Sequence, residues 1–209
     1  MHENFLPLAV KMASELWPIW LILYLIGSIP FAIISSKLMN LPDPRTYGSN
    51  NPGATNVLRT GNKTAAFLTL LGDSLKGFIP VMLIMSIVES DVSMITNIAV
   101  SYFSSFFILL GHMFPIFLKF KGGKGVATSF GILFALDPRI GFSLLAIWLL
   151  VFIIFRVSAT SALAAFFLLP FFVAFFLGDN FITILAVTNS LFIYLKHING
   201  FAQIKNLFN

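Results

Sequence analysis

The sequence contains no cysteine, and only 10% of its 209 residues carry a charge. The first absence removes disulfides, thiolate metal ligands and a thiol nucleophile. The second excludes an ordinary soluble domain, because 13 Lys and Arg with 8 Asp and Glu cannot cover the surface of a chain this long. The GxxxxGK[ST] spacing of a phosphate loop is missing, so ATP or GTP binding has no support. No internal repeat and no low-complexity segment is present. Histidine is scarce, at His2, His112 and His197 only, and none is followed by the HxxxxD pattern.

What is abundant is apolar surface: 58% of the residues are hydrophobic, 25 of them phenylalanine. Six runs approach the roughly 20 apolar residues that cross a hydrocarbon layer: 17–39, 65–88, 94–118, 139–155, 159–177 and 181–195. A shorter run, 126–136, is either a short span or a re-entrant hairpin. The first run is too long for the apolar part of a signal peptide and is expected to stay in the mature protein. The expected fold is therefore an all-α polytopic membrane protein, one domain over residues 1–209.

Charge chooses between the two topologies. With seven transmembrane helices, one side collects Lys37, Arg45, Arg59, Lys63, Lys119, Lys121, Lys124, Arg156, Lys196 and Lys205. The other receives only Lys11 and Arg139, together with Glu3, Glu15, Glu89, Asp91, Asp137 and Asp179. Ten basic residues against two place the N-terminus outside and the C-terminus in the cytoplasm. The net charge of +5 thus reports orientation and anionic partners, not nucleic acid.

The unusual polar segments fall on that same basic side. FKGGKGVATSFG, Phe120 to Gly131, combines two lysines with glycines that let a backbone approach an anion, ahead of an expected helix N-terminus. Taken alone, it also fits a flexible basic loop. GSNNPGATN, Gly48 to Asn56, followed by Arg59, adds hydroxyls, amides and a guanidinium suited to phosphate. Asp73 and Lys76, three residues apart inside the second span, share a helical face and read first as a buried ion pair. His197, closing the last span, is the candidate for acid, base or oxyanion-polarising work.

Together GSIP (27–30), DPR (43–45), GSNNPGATNVLR (48–59), DSLKG (73–77), GHMFPIFLKFKGGKGVAT (111–128) and His197 resemble the bacterial acyl-phosphate:glycerol-3-phosphate acyltransferases, the PlsY family. The resemblance implies an enzyme of the bacterial inner membrane with a cytoplasm-facing site. It implies acyl transfer from acyl phosphate to glycerol 3-phosphate, giving lysophosphatidic acid and inorganic phosphate, the first acylation of phospholipid synthesis. The partners are those two substrates and membrane lipid; no cofactor or metal is implied. Its catalytic set maps to Ser49, Arg59, Ser158, His197 and Asn199. Its substrate-binding set maps to Asn51, Asn56, His112, Lys121, Gly122, Gly123, Lys124 and Gly125.

Three departures stand out. Asn50 replaces a glycine of the family's GSGN, while Ser158 and Asn199 each stand one place early relative to the family's Arg-x-x-Ser and His-x-x-Asn. The rivals are a transporter of a small phosphorylated solute and an acyltransferase that uses acyl-CoA.

Overall fold

The computed structural model describes residues 17–88 and 93–205, with side chains described as far as Ile198. Glu3, Lys11, Glu15, Glu89 and Asp91, and the side chains of Asn199 and Lys205, lie outside the described residues. Among those described there is no strand. Helix α1 covers residues 17–27. It is followed by α2 (Phe31–Leu38), α3 (Ala54–Val57), α4 (Lys63–Val88), α5 (Met94–Met113), α6 (Val126–Leu136), α7 (Pro138–Phe155), α8 (Ser158–Leu177) and α9 (Asn180–Lys205). Among the described residues six segments are long and apolar enough to cross a membrane, the first formed by α1 and α2 together. Helix α6 has 11 residues, about 16 Å of helix.

Local signals set most of these boundaries. Four helices begin just after a residue whose side-chain oxygen accepts a hydrogen bond from the first turn: Asn62 from Ala65 N–H, Ser93 from Thr96 N–H, Asp137 from Arg139 N–H and Asp179 from Ile182 N–H. Each cap satisfies a donor with no partner inside the helix, a contribution of about 1 kcal/mol. Left-handed Arg156 (φ 56°) and Gly178 (φ 64°) terminate α7 and α8.

The sequence predicts one helix over 17–39, and here the structure differs. The chain breaks at residues 28–30, between α1 and α2, because Pro30 has no N–H to continue the ladder. The break frees the Ile29 carbonyl, which accepts a hydrogen bond of 2.9 Å from Lys76 Nζ on α4. Gly27 and Gly111 lie where α1 crosses α5 so closely that any side chain would meet backbone, at Ile108 and Tyr24 respectively.

The core joins α1, α4, α5, α6, α7, α8 and α9 around residues such as Tyr102, Phe166, Ile132 and Leu144. Helix α6 presses against α4: a Cβ at Gly131 would strike the Ser74 carbonyl oxygen, and one at Gly77 the Thr128 carbonyl oxygen. A buried polar relay fixes α9 against α6 and α5. In it Ser129 Oγ donates to Asn189 Oδ1 at 3.1 Å, and Asn189 Nδ2 donates to the Tyr102 hydroxyl at 3.3 Å. Aligned in this way, the C-terminal ends of α5 and α9 meet the N-terminal ends of α6 and α8.

Candidate active site

The connection between α2 and α4 is folded on itself by one amide. Asn56 is buried, accepts a hydrogen bond from the Ser49 N–H at 3.0 Å, and donates to the carbonyls of Pro44 at 2.7 Å and Tyr47 at 3.1 Å. Gly48 (φ 59°) and Asn50 (φ 54°) supply the left-handed corners; asparagine tolerates that conformation, so the departure from glycine at position 50 is accommodated. Asp43 and Arg45 form a local clip, with Nη2 2.6 Å from Oδ2. The hydrogen bond from Arg45 holds the Asp43 carboxyl below the usual carboxylate range, against the opposing effect of burial. This occupied guanidinium is not available to a ligand. Arg59, by contrast, is exposed and has no carboxylate partner among the described residues.

The glycine-rich loop follows the 3-10 turn Ile116–Leu118. Its glycines serve a purpose different from the one their sequence suggests. The Gly122 and Gly123 N–H groups donate back to the carbonyls of Met113 and His112, at 3.2 and 3.1 Å. They complete the end of α5 and are not turned toward an anion. A Cβ on Gly122 would meet the His112 carbonyl oxygen, and one on Gly123 the His112 ring. Gly125 (φ 85°) then makes the left-handed turn that starts α6. The loop is thus a tight wrap around His112 that presents Lys124, half-buried, while Lys121 stays exposed and off the cavity wall. Burial pulls the Lys124 ammonium below the usual lysine range.

Behind the loop lies a buried polar trio built on an ion pair. Asp73 Oδ1 sits 2.8 Å from Lys76 Nζ and 3.5 Å from His112 Nδ1. Deep charges persist only when paired, and removing one partner costs about 3–5 kcal/mol because the other is left uncompensated. The expected Asp73–Lys76 pair therefore extends to His112, joining α4 and α5 to the break after α1.

On α9, His197 is 3% exposed, and its Nδ1 lies 2.7 Å from the Ile193 carbonyl oxygen. A carbonyl only accepts, so Nδ1 carries the proton and the neutral ring leaves Nε2 as an acceptor. Lys196 Nζ donates to the Met113 carbonyl at 2.8 Å and lies 4.5 Å from the Phe114 ring centroid, which ties α9 to the end of α5. The Thr55 and Ser158 hydroxyls are 3.2 Å apart and tie the first loop to the start of α8.

These parts line a single open cavity of about 1800 Å³. Ser49, Asn51, Asn56, Arg59, His112, Gly122, Lys124, Gly125, Ser158 and His197 are all on its wall; Gly123 and Lys121 are not. Arg156 and Lys196 add two cations, and Asp73, already paired, is the one carboxylate among its lining residues. From this basic end the wall turns apolar, through Phe78, Met82, Met85, Phe134, Phe142 and Trp148. The sequence does not single out this second half. Phenylalanines and methionines facing a slot look the same in a sequence as those facing lipid.

Comparison with known proteins gives the arrangement a context. The family model described as "Glycerol-3-phosphate acyltransferase" matches residues 17–207. A glycerol-3-phosphate acyltransferase of Cupriavidus taiwanensis is 54% identical over 149 residues, 71% of this chain and 72% of the relative. One from Dechloromonas aromatica is 55% identical over 142 residues, 68% of each chain. The crystal structure of PlsY, an integral membrane glycerol 3-phosphate acyltransferase, in its glycerol 3-phosphate form superposes with a TM-score of 0.79 at 32% identity, covering 90% of both chains. Its lysophosphatidic acid form gives 0.78 at 30% identity. On a match that runs nearly the length of the sequence, with the same fold, this chain belongs to the glycerol-3-phosphate acyltransferase family of the PlsY type.

Proposed function

We propose that the protein transfers a fatty acyl group from acyl phosphate to glycerol 3-phosphate, releasing lysophosphatidic acid and inorganic phosphate. The observation that carries this reading is the two-part cavity: cations Arg59, Arg156 and Lys124, without a carboxylate partner among the described residues, at one end, and an apolar slot continuous with it. Both substrates bear phosphate and one bears a fatty chain, so a site for them needs both halves. The reading also takes the enzyme as a single membrane-embedded domain of the bacterial inner membrane with seven crossings, α6 being the short one. In support, the hydrogen bonds between residues 55 and 158 and between 113 and 196 bring chain segments together at one end, as that number of crossings requires. The one-sided basic charge supports a cytoplasmic opening.

In the transfer, the acceptor hydroxyl oxygen attacks the acyl carbonyl carbon, the new ester bond forms, and the bond from that carbon to the phosphate oxygen breaks. The acyl phosphate is already activated, so no covalent acyl-enzyme is needed. His197 Nε2, an acceptor, holds the attacking hydroxyl by its hydrogen, and the proton ends on the released hydrogen phosphate. Arg59, Lys124 and Ser49 grip phosphate oxygens. Asn56 acts indirectly, by holding Ser49 and its neighbours in place. Asn51 and Ser158 complete the polar wall. Lys121, set off the cavity, contributes long-range attraction of the anionic acceptor.

The test uses purified protein in lipid with radiolabelled glycerol 3-phosphate and either acyl phosphate or acyl-CoA. Labelled lysophosphatidate formed from acyl phosphate alone is the expected result. Product from acyl-CoA alone would overturn the donor, and solute uptake into sealed vesicles without product would favour a transporter.

A further inference from the structure

The apolar half of the cavity carries a polar group in its lining. Asn97 of α5 is 5% exposed and lines the cavity's far part with Met85 and Met94. Its amide has no freedom to turn away: Nδ2 donates to the Met85 carbonyl at 2.9 Å, and Oδ1 accepts from Ser101 Oγ at 3.2 Å. The Met85 carbonyl belongs to the last turn of α4, which lacks intrahelical donors, so Asn97 locks α5 to α4 at this depth. A methyl-terminated chain gains from burial against Phe78, Met82 and Phe134 but gains nothing from displacing this satisfied amide.

The depth is set by α4. Asp73 lies beside His112 and hence level with the glycine wrap at the basic end. Met85 is twelve residues further along the same helix, about 18 Å. That is close to half of a hydrocarbon layer of roughly 30 Å, the depth filled by one fatty chain of a single leaflet.

We infer that the Asn97–Met85 pair is the floor of the acyl slot and that the wall at Met82 and Met85 sets the length of fatty chain the enzyme prefers. This rests on the acyl-transfer reading above and adds to it a measuring device on α4. Met82 and Met85 are three residues apart on one helix, about 4.5 Å in depth. A bulky side chain at the two positions should therefore block the slot at two different lengths.

The experiment compares Met82→Trp, Met85→Trp and Asn97→Ala with wild type, using competing saturated acyl phosphates that differ by pairs of methylenes. The tryptophan variants should discriminate against long donors, by about tenfold in relative kcat/KM for each methylene pair excluded from the slot. The cut-off should fall at a shorter chain for Met82→Trp than for Met85→Trp. Asn97→Ala should shift the preference toward longer chains. General misfolding lowers all donors together and cannot order the two cut-offs. A length profile unmoved by all three variants, or cut-offs in the reverse order, would overturn the inference while leaving the acyltransferase reading intact. Absence of product from wild type with every donor is a different result and would sink both.

Discussion

At the scale of single residues, the tripeptide Asp-Pro-Arg occurs twice, at 43–45 in the loop after α2 and at 137–139 at the start of α7, and it folds the same way both times. In each, the arginine N–H and Nε donate to Oδ1, and Nη2 donates to Oδ2 at 2.6 Å. The pairing is a property of the tripeptide, which occupies the Arg45 guanidinium, while Arg59 and Lys124 on the cavity wall have no carboxylate partner among the described residues. Lys124→Ala should raise KM for glycerol 3-phosphate by roughly ten- to a hundred-fold, the worth of a hydrogen bond to a charged group, with protein yield unchanged. Steady-state kinetics in lipid would check it, and equal constants in the variant would remove the lysine from the site.

The same lysine predicts a pH dependence with a definite sign. Its ammonium is charged below its pKa and neutral above, and burial has moved that pKa downward. Affinity for the acceptor should therefore fall as pH rises, beginning at a lower pH than an ordinary lysine would give. Lys124→Arg, with a guanidinium that keeps its charge, should move this alkaline limb upward. A pH profile of KM for the two proteins decides the matter; coincident limbs would assign the titration to another group.

At the scale of elements, the decisive contact is the crossing of α4 and α6. Gly131 and Gly77 allow the two backbones to touch, and α4 carries Asp73 while α6 starts at the Lys124 loop. Gly131→Ala places a Cβ against the Ser74 carbonyl oxygen, and overpacking of this kind costs about 1–3 kcal/mol. Thermal unfolding in detergent should show the lower Tm, together with reduced activity, since separating the helices widens the slot. An unchanged Tm would mean the helices part without penalty.

Most element boundaries were legible because they rest on nearest-neighbour chemistry: Asn62, Ser93, Asp137 and Asp179 each stand just before a helix, and the short segment 126–136 is a helix with those bounds. The break at Ser28–Pro30 was signalled by Pro30 but hidden inside a continuous apolar run. The roles of Gly122 and Gly123 could not be read locally. Glycine that turns an N–H toward a ligand and glycine that makes room for a histidine ring are the same letter, and only the position of His112 separates them. Nor could the Asp73 to His112 contact be seen, because it joins residues on different helices. A lone asparagine in the third span was the available sign of Asn97, since a polar side chain at that depth demands partners.

At the scale of the whole molecule, the polar segments scattered between residues 48 and 197 form one wall. That convergence fixes a topological prediction. Single cysteines placed at positions 50 and 121 of this cysteine-free chain should label from the same side of sealed inverted vesicles, and one at 179 from the opposite side. Labelling of 50 and 121 from contrary sides would dismantle the pocket and the enzyme reading with it. Substituted-cysteine accessibility also tests the crossing proposed for α6, which predicts that exposed positions 121 and 139 label from opposite sides.

The cavity is open, and its apolar half is bordered by a residue as bare as Phe142, 64% exposed. For the transfer proposed above, such a side door lets a greasy donor glide in from the leaflet and the one-tailed product drift back out, while the water-borne acceptor arrives from the other direction. Hauling a tail through water would exact about 0.8 kcal/mol per methylene. A catalyst built at this seam between oil and water never has to lift it.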